Sequence, residues 1–142
     1  VGVQAEGSAA IANAFIAGQE AIVPVQAHTV ADSISVDLPR DGLRALKAVK
    51  TSDGWFEVVT DEQILRAIPA LGSAGIFSEP AAAAAYAGLV QAVRNERIDP
   101  DNPVLVLATG SGLKDVKAAM QAVPAAPIIE PTIKALEGAL YD

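Results

Sequence analysis

The feature that most constrains this chain is an apolar run, Val104 to Leu107, that leads directly into a turn of small residues, Ala108 to Asp115. A short apolar run bounded by turn signals is typical of a buried strand. The turn contains two glycines and the hydroxyl-bearing Thr109 and Ser111, and a predicted helix begins at Leu113. Because open α/β sheets bind their ligands at the carboxyl ends of strands, this pattern predicts a ligand-binding turn.

A dinucleotide-binding fingerprint is an alternative interpretation of this turn, because Gly110-Ser111-Gly112 follows a predicted strand. That fingerprint needs a third glycine where this chain has Asp115, and a ribose-binding carboxylate about twenty residues later. The third glycine is missing, and no such carboxylate stands out. The dinucleotide interpretation is therefore disfavoured.

Predicted strands and helices alternate along the chain, and this alternation predicts an α/β fold with a parallel sheet. We expect the chain to form part of a doubly wound parallel sheet flanked by helices. The predicted strands cover residues 1–4, 55–59 and 104–107. The predicted helices cover residues 9–17, 43–50, 79 to about 97 and 131–140, with two more that begin after Thr60 and at Leu113.

Local signals mark where some of these helices begin and which face they bury. Thr60 and Gln63 have the spacing of a capping box, and Ser78 is the predicted N-cap of a helix with Pro80 in its first turn. Two helices carry a predicted apolar stripe. These stripes are Ile64, Leu65, Ile68 and Leu71 in the first, and Leu113, Val116, Met120 and Val123 in the second.

Composition excludes several classes of function. The formal net charge of −7 argues against nucleic-acid binding, which needs a basic surface. The absence of cysteine removes disulfides and thiolate metal sites, and a single histidine, His28, leaves no histidine metal cluster and no Ser-His-Asp arrangement. No apolar run approaches the roughly 20 residues that span a bilayer. We expect a cytoplasmic protein with no metal and no membrane partner.

Five segments together carry a family resemblance. The segment Gly75 to Gly88, G-I-F-S-E-P-A-A-A-A-A-Y-A-G, and the later T-G-S-G-L-K-D at 109–115 resemble the C-terminal part of threonine synthase, a fold-type-II enzyme that uses pyridoxal phosphate. Five motifs in register make a specific match. Ala82 and Ser111 depart from the family's usual residues and leave the substrate open. The other matching segments are Gly2 to Ala10, Thr29 to Ile34 and Val58 to Leu65.

The resemblance implies how the chain is organised. Residues 1–123 correspond to the C-terminal part of the pyridoxal-phosphate-dependent α/β domain, and residues 124–142 to a C-terminal linker and helix. The family's Schiff-base lysine and its phosphate-binding glycine-asparagine loop have no counterpart here, so we expect no catalytic residue in this chain. Lys114 is accordingly expected to form a structural charge pair with Asp115. The chain is expected to be part of a longer enzyme and to be inactive alone.

The resemblance also implies four cofactor-binding residues. Thr109 would donate a hydrogen bond to the pyridine nitrogen, and Gly110 would let the turn approach the ring. Ala5 would border the cofactor plane, and Glu79 would lie near the wall of the site. Each residue has a purely structural alternative: Thr109 would end a strand, Ala5 would belong to an ordinary turn, and Glu79 would favour the positive end of a helix dipole.

The whole enzyme that this resemblance implies converts O-phosphohomoserine and water into threonine and phosphate. A threonine dehydratase-like or cysteate synthase-like enzyme is one alternative, and a non-catalytic α/β binding module is another. The expected partners are a phosphorylated amino-acid substrate and either a second copy of the chain or the missing N-terminal half. A fragment cut from such a sheet should self-associate, whereas an independent module should be monodisperse.

Overall fold

The computed structural model of the chain describes residues 1–141 and has an α/β architecture. Two strands, β1 (Gly2–Ala5) and β2 (Phe56–Val59), pair in parallel, with Gly2 opposite Phe56 and Ala5 opposite Val59. The predicted α/β class with a parallel sheet flanked by helices is confirmed. The helices are α1 (Ala10–Ile16), α2 (Gly42–Thr51), α3 (Asp61–Ser73), α4 (Pro80–Arg94), α5 (Val116–Gln121) and α6 (Ile133–Tyr141).

The main core lies where α3 and α4 pack together and α4 packs on the sheet. Its α4 face consists of alanines, because small side chains let a helix approach a sheet closely. Gly88 rests directly against Val3 of β1, and a Cβ atom at position 88 would overlap the Val3 side chain. The alanine run at 81–85 is helical, as predicted, and close helix–sheet packing accounts for it.

The predicted capping box at the start of α3 is confirmed. The backbone N–H of Gln63 donates to Thr60 Oγ1 (3.2 Å), and the backbone N–H of Thr60 donates to Gln63 Oε1 (2.8 Å). The predicted apolar stripe of α3 faces the core, since Ile64, Ile68 and Leu71 are buried. Local sequence signals were sufficient for this helix.

Both ends of α4 differ from the prediction. Its N-cap is Glu79 and not Ser78, because Glu79 has extended backbone angles while its carbonyl already accepts the first helical bond from Ala83. The helix ends at Arg94 and not at residue 97, since the backbone turns left-handed at Glu96 (φ 57°).

The predicted buried strand from Val104 to Leu107 is wrong in this structure. The segment is not a strand, and Val104, Leu105 and Leu107 are 45%, 85% and 70% exposed. It lies along one side of a cavity of about 480 Å³ whose other walls include residues of β1 and α4. A strand needs a hydrogen-bonded neighbour, and among residues 1–141 the sheet contains only β1 and β2.

The predicted apolar stripe after residue 113 is also wrong here. A short 3₁₀ turn at Gly112–Lys114 comes first, and α5 then buries Ala118, whereas Leu113 and Met120 are 76% and 71% exposed. The side chain of Asp115 caps α5 by accepting from the Ala118 N–H (2.9 Å). Across the described chain, no helix combines the length and apolarity needed to cross a bilayer.

A buried polar network ties β2 to the C-terminal part of α4. The carboxylate of Glu57, only 4% exposed, accepts from Trp55 Nε1 (2.8 Å) and from Gln91 Nε2 (2.7 Å). Arg97 lies 3.6 Å from the same carboxylate and stacks over the Trp55 ring at 5.9 Å. Because both oxygens accept hydrogen bonds and a cation lies beside them, burial of this carboxylate is compensated.

Replacing Glu57 with glutamine should lower the free energy of unfolding by about 1–3 kcal/mol. The amide keeps the volume of the side chain but offers one acceptor oxygen where two donors now bind, so one buried donor is left without a partner. Urea denaturation measures the change. As a control, Glu20→Gln removes an exposed carboxylate (92% exposed) and should cost less than about 1 kcal/mol. Equal costs for the two variants would contradict a structural role for the network.

Candidate functional site

The turn predicted to bind a ligand is docked on the segment that leads into α4. The carbonyl of Gly110 accepts from the Glu79 N–H (3.0 Å), and the Gly112 N–H donates to the Phe77 carbonyl (3.0 Å). These bonds flank an antiparallel bridge between Ser78 and Ser111. The position of the turn is therefore set by main-chain hydrogen bonds to the start of α4.

Both glycines of the turn are required by their protein neighbours. Gly110 is buried, and a Cβ atom there would overlap the carboxylate of Glu79. A Cβ atom on Gly112 would overlap the Phe77 ring. The sequence predicted that Gly110 allows close approach to a ligand; in the structure, the close neighbour is Glu79. A role for Gly110 towards a cofactor stays a prediction.

Glu79 is a buried carboxylate, 6% exposed, with partners from two other segments. Its Oε1 lies 3.8 Å from Lys114 Nζ, and its Oε2 accepts from Ser33 Oγ (3.3 Å). Glu79 is also the N-cap of a 15-residue helix, where the dipole favours negative charge. The lysine and the helix terminus together compensate the buried negative charge.

The predicted charge pair between Lys114 and Asp115 is wrong. Lys114 pairs with Glu79 instead, and Asp115 is used as the cap of α5. The lysine side chain is 65% exposed, so solvent weakens the ion pair. The pair nonetheless links the far end of the turn to the start of α4.

Thr109 and Ala5 lie in contrasting surroundings. Thr109 is exposed and directly precedes buried Gly110, so its hydroxyl is accessible next to the fixed part of the turn. Ala5 is 1% exposed at the carboxyl end of β1 and belongs to the core cluster that contains Ala83, one turn into α4. Of the four predicted site residues, the structure brings Glu79 and Gly110 into direct contact.

Sequence reasoning missed two participants in this cluster. Ser33 comes from a segment for which the sequence predicted neither a strand nor a helix, and no local signal links it to Glu79. Ser78 was predicted as a helix cap, but its hydroxyl is buried and has no hydrogen-bond partner among the described residues. Both depend on contacts between segments distant in sequence.

Comparison with known proteins gives a family match. The family described as "Pyridoxal-phosphate dependent enzyme" matches residues 1–110. Threonine synthase from Methanocaldococcus jannaschii is 39% identical over 123 residues, covering 85% of this chain and 30% of that protein. Threonine synthase from Methanosarcina acetivorans is 37% identical over 142 residues, covering 99% of this chain and 35% of that protein.

Comparison with solved structures gives the same fold. A threonine deaminase from T.th. matches with a TM-score of 0.53 and 23% sequence identity, over 69% of this chain and 35% of that one. At this identity the likeness concerns the fold alone. The chain spans about a third of the length of the curated relatives it matches.

Proposed function

The chain belongs to the pyridoxal-phosphate-dependent enzyme family, and we propose that it forms one wall of the cofactor pocket of a threonine synthase-like lyase. The enzyme would convert O-phosphohomoserine and water into threonine and phosphate. Two relatives described as threonine synthase, at 37–39% identity, support this reaction over that of the structurally similar deaminase, at 23%. The structural observation that carries the proposal is an accessible Thr109 on a turn that main-chain hydrogen bonds hold against Glu79 and Phe77.

The residues of the turn fit the ring of pyridoxal phosphate. The hydroxyl of Thr109 can donate a hydrogen bond to an unprotonated pyridine nitrogen. The main-chain bonds of Gly110 and Gly112 fix the backbone on either side of Ser111, so Thr109 is held next to an ordered segment. When bound, pyridoxal phosphate supplies the electron sink of the reaction. In this proposal, the role of the chain is to hold and orient the ring.

Glu79 would not contact the ring itself but would lie behind Thr109, the residue that donates to the ring. Its backbone N–H and its carboxylate both contact Gly110, and Lys114 offsets its charge. Negative charge at this position would otherwise favour a protonated ring. We infer that the pairing with Lys114 keeps the surroundings of Thr109 close to neutral, which suits a hydroxyl as the ring partner.

The remainder of the enzyme would supply the lysine that carries the cofactor and the loop that binds its phosphate. We expect the isolated chain to be inactive and to associate with that remainder or with a second copy. The exposed apolar segment at 104–107 supports this, because a neighbouring strand would satisfy its backbone and cover its side chains. A cytoplasmic location stays an expectation.

Activity of the whole enzyme decides between the candidate reactions. Purified protein is given O-phosphohomoserine or threonine, and release of phosphate or ammonia is measured. Phosphate release together with the visible absorption of lysine-linked pyridoxal phosphate is the expected result. Ammonia release from threonine alone would assign a dehydratase. The lack of both activities and of the absorption would favour the non-catalytic module.

Replacing Thr109 with valine in the whole enzyme should weaken cofactor binding about two- to tenfold. The change removes one hydrogen bond to the ring, worth about 0.5–1.5 kcal/mol, and keeps the shape of the side chain. Cofactor affinity is measured by titrating the apoenzyme with pyridoxal phosphate. Thr51→Val, at an exposed threonine of α2, is the control and should leave the affinity unchanged. Equal affinities of the Thr109→Val enzyme and the unmodified enzyme for pyridoxal phosphate would show that Thr109 does not bind the cofactor.

A further inference from the structure

A groove between α3 and α4 lies apart from the turn and has a cavity volume of about 190 Å³. This is below the roughly 300–1,000 Å³ of sites for drug-sized ligands, so the groove suits a small molecule. Its apolar surface comes from small side chains, and its polar groups come from two arginines, a tyrosine and two glutamines. The lining residues are Gln63, Arg66, Ala67, Ala70, Tyr86, Ala87, Val90, Gln91 and Arg94.

A hydrogen bond between the two glutamines shows how α3 and α4 are aligned along the groove. Gln63 Nε2 donates to Gln91 Oε1 (2.9 Å), so a residue near the start of α3 meets one near the end of α4, and the helices are antiparallel. Arg66 and Arg94 each follow their glutamine by three residues, on opposite sides of the pair. At 1.5 Å per residue, their backbones lie roughly 9 Å apart along the helices. Two long side chains can converge over that span.

The glutamine amides are already engaged, and the arginines are available. Gln91 Nε2 donates to the buried carboxylate of Glu57 (2.7 Å) and Gln63 Nε2 to Gln91. Arg66 pairs with Glu62 (2.6 Å), but both side chains are 73% exposed, so this pair is weak. None of the ion pairs within residues 1–141 involves Arg94.

We propose that this groove binds a small organic oxyanion, a carboxylate or a phosphate ester, that carries a short aliphatic group. The planar guanidinium group can donate two parallel hydrogen bonds to two oxygens of a carboxylate or of a phosphate. The alanines and Val90 accept the aliphatic group. The chain carries a net charge of −7, so the protein as a whole repels anions. The two arginines would attract an anion only within the groove. This proposal does not depend on the proposed reaction.

Saturation-transfer NMR on the protein with its full chain tests the ligand class. The probes are isovalerate, its neutral analogue isovaleramide, and inorganic phosphate, each titrated at constant ionic strength. Isovalerate should give saturable transfer with a Kd of about 1 mM, equivalent to about −4 kcal/mol. Inorganic phosphate should displace isovalerate, because both anions would bind the same two arginines. Equal transfer to isovaleramide, or no saturation with isovalerate, would overturn the proposal.

Matched arginine variants locate the binding. Arg66→Gln and Arg94→Gln should each raise the Kd for isovalerate about tenfold or more, because each removes a charged hydrogen-bond donor. Arg44→Gln changes the net charge equally at a site that is 84% exposed and lies on α2. It should leave the Kd unchanged. Equal increases in all three variants would mean general charge attraction, and unchanged Kd in the groove variants would place the ligand elsewhere; either result overturns the assignment.

Discussion

The substitution Gly110→Val is expected to lower cofactor affinity in the whole enzyme by about 100-fold. The position is buried, and even a Cβ atom would overlap the Glu79 carboxylate. Forcing extra volume into a packed site costs about 1–3 kcal/mol, and each 1.4 kcal/mol is tenfold in affinity. Because Thr109 adjoins Gly110, displacement of the turn would also move the Thr109 hydroxyl away from the pyridine nitrogen. Titration of the apoenzyme with pyridoxal phosphate measures the loss.

Two variants show whether the overlap is the cause. Glu79→Ala in the Gly110→Val background removes the overlapping carboxylate and should restore part of the affinity. Gly138→Val places the same side chain where no atom lies within 4 Å of the added Cβ, and should leave the affinity unchanged. Unchanged affinity in the Gly110→Val enzyme would place the cofactor away from this turn. If Glu79→Ala restores no affinity to the Gly110→Val enzyme, the loss comes from the backbone of the turn and not from the overlap with the carboxylate.

Truncating Ile64 to alanine is expected to lower the free energy of unfolding of the chain by about 2–5 kcal/mol. Ile64 is 0% exposed and is the largest of the fully buried side chains among residues 1–140. It lies in the first turns of α3, where the helix joins the core shared with α4 and the sheet. Since domains of this size are stable by about 5–15 kcal/mol, the loss is a large share of the total.

Urea denaturation followed by circular dichroism measures this change. Ile16→Ala is the matched control, because Ile16 also lies in a helix but is 72% exposed. It should cost less than about 1 kcal/mol. If the two variants cost the same, the core around α3 and α4 does not carry the stability of the chain.

The turn and the start of α4 form one structural unit. Main-chain bonds join Gly110 to Glu79 and Gly112 to Phe77, and the Glu79–Lys114 pair closes the unit on its far side. Any ligand held by Thr109 would therefore be positioned relative to α4, which packs on the sheet. This arrangement brings two sequence motifs that are far apart in the chain into direct contact.

Several contacts in the site could not be predicted from sequence. The pairing of Lys114 with Glu79 competes with a nearby partner, Asp115, and only the folded chain shows that Asp115 is occupied as a cap. The contact of Ser33 with Glu79 likewise follows from the packing of its segment beside α4. Neither choice has a local signal, because both depend on which segments meet in space.

The sequence by itself determined what depends on near neighbours in the chain. The capping box at Thr60, the buried stripe of α3 and the helical alanine run all follow from interactions within a turn or two, and the motifs identified the family. Tertiary structure alone decided the state of Val104–Leu107 and the burial of α5. A strand and a buried face exist only where another segment provides hydrogen bonds or cover, and no local pattern specifies that partner.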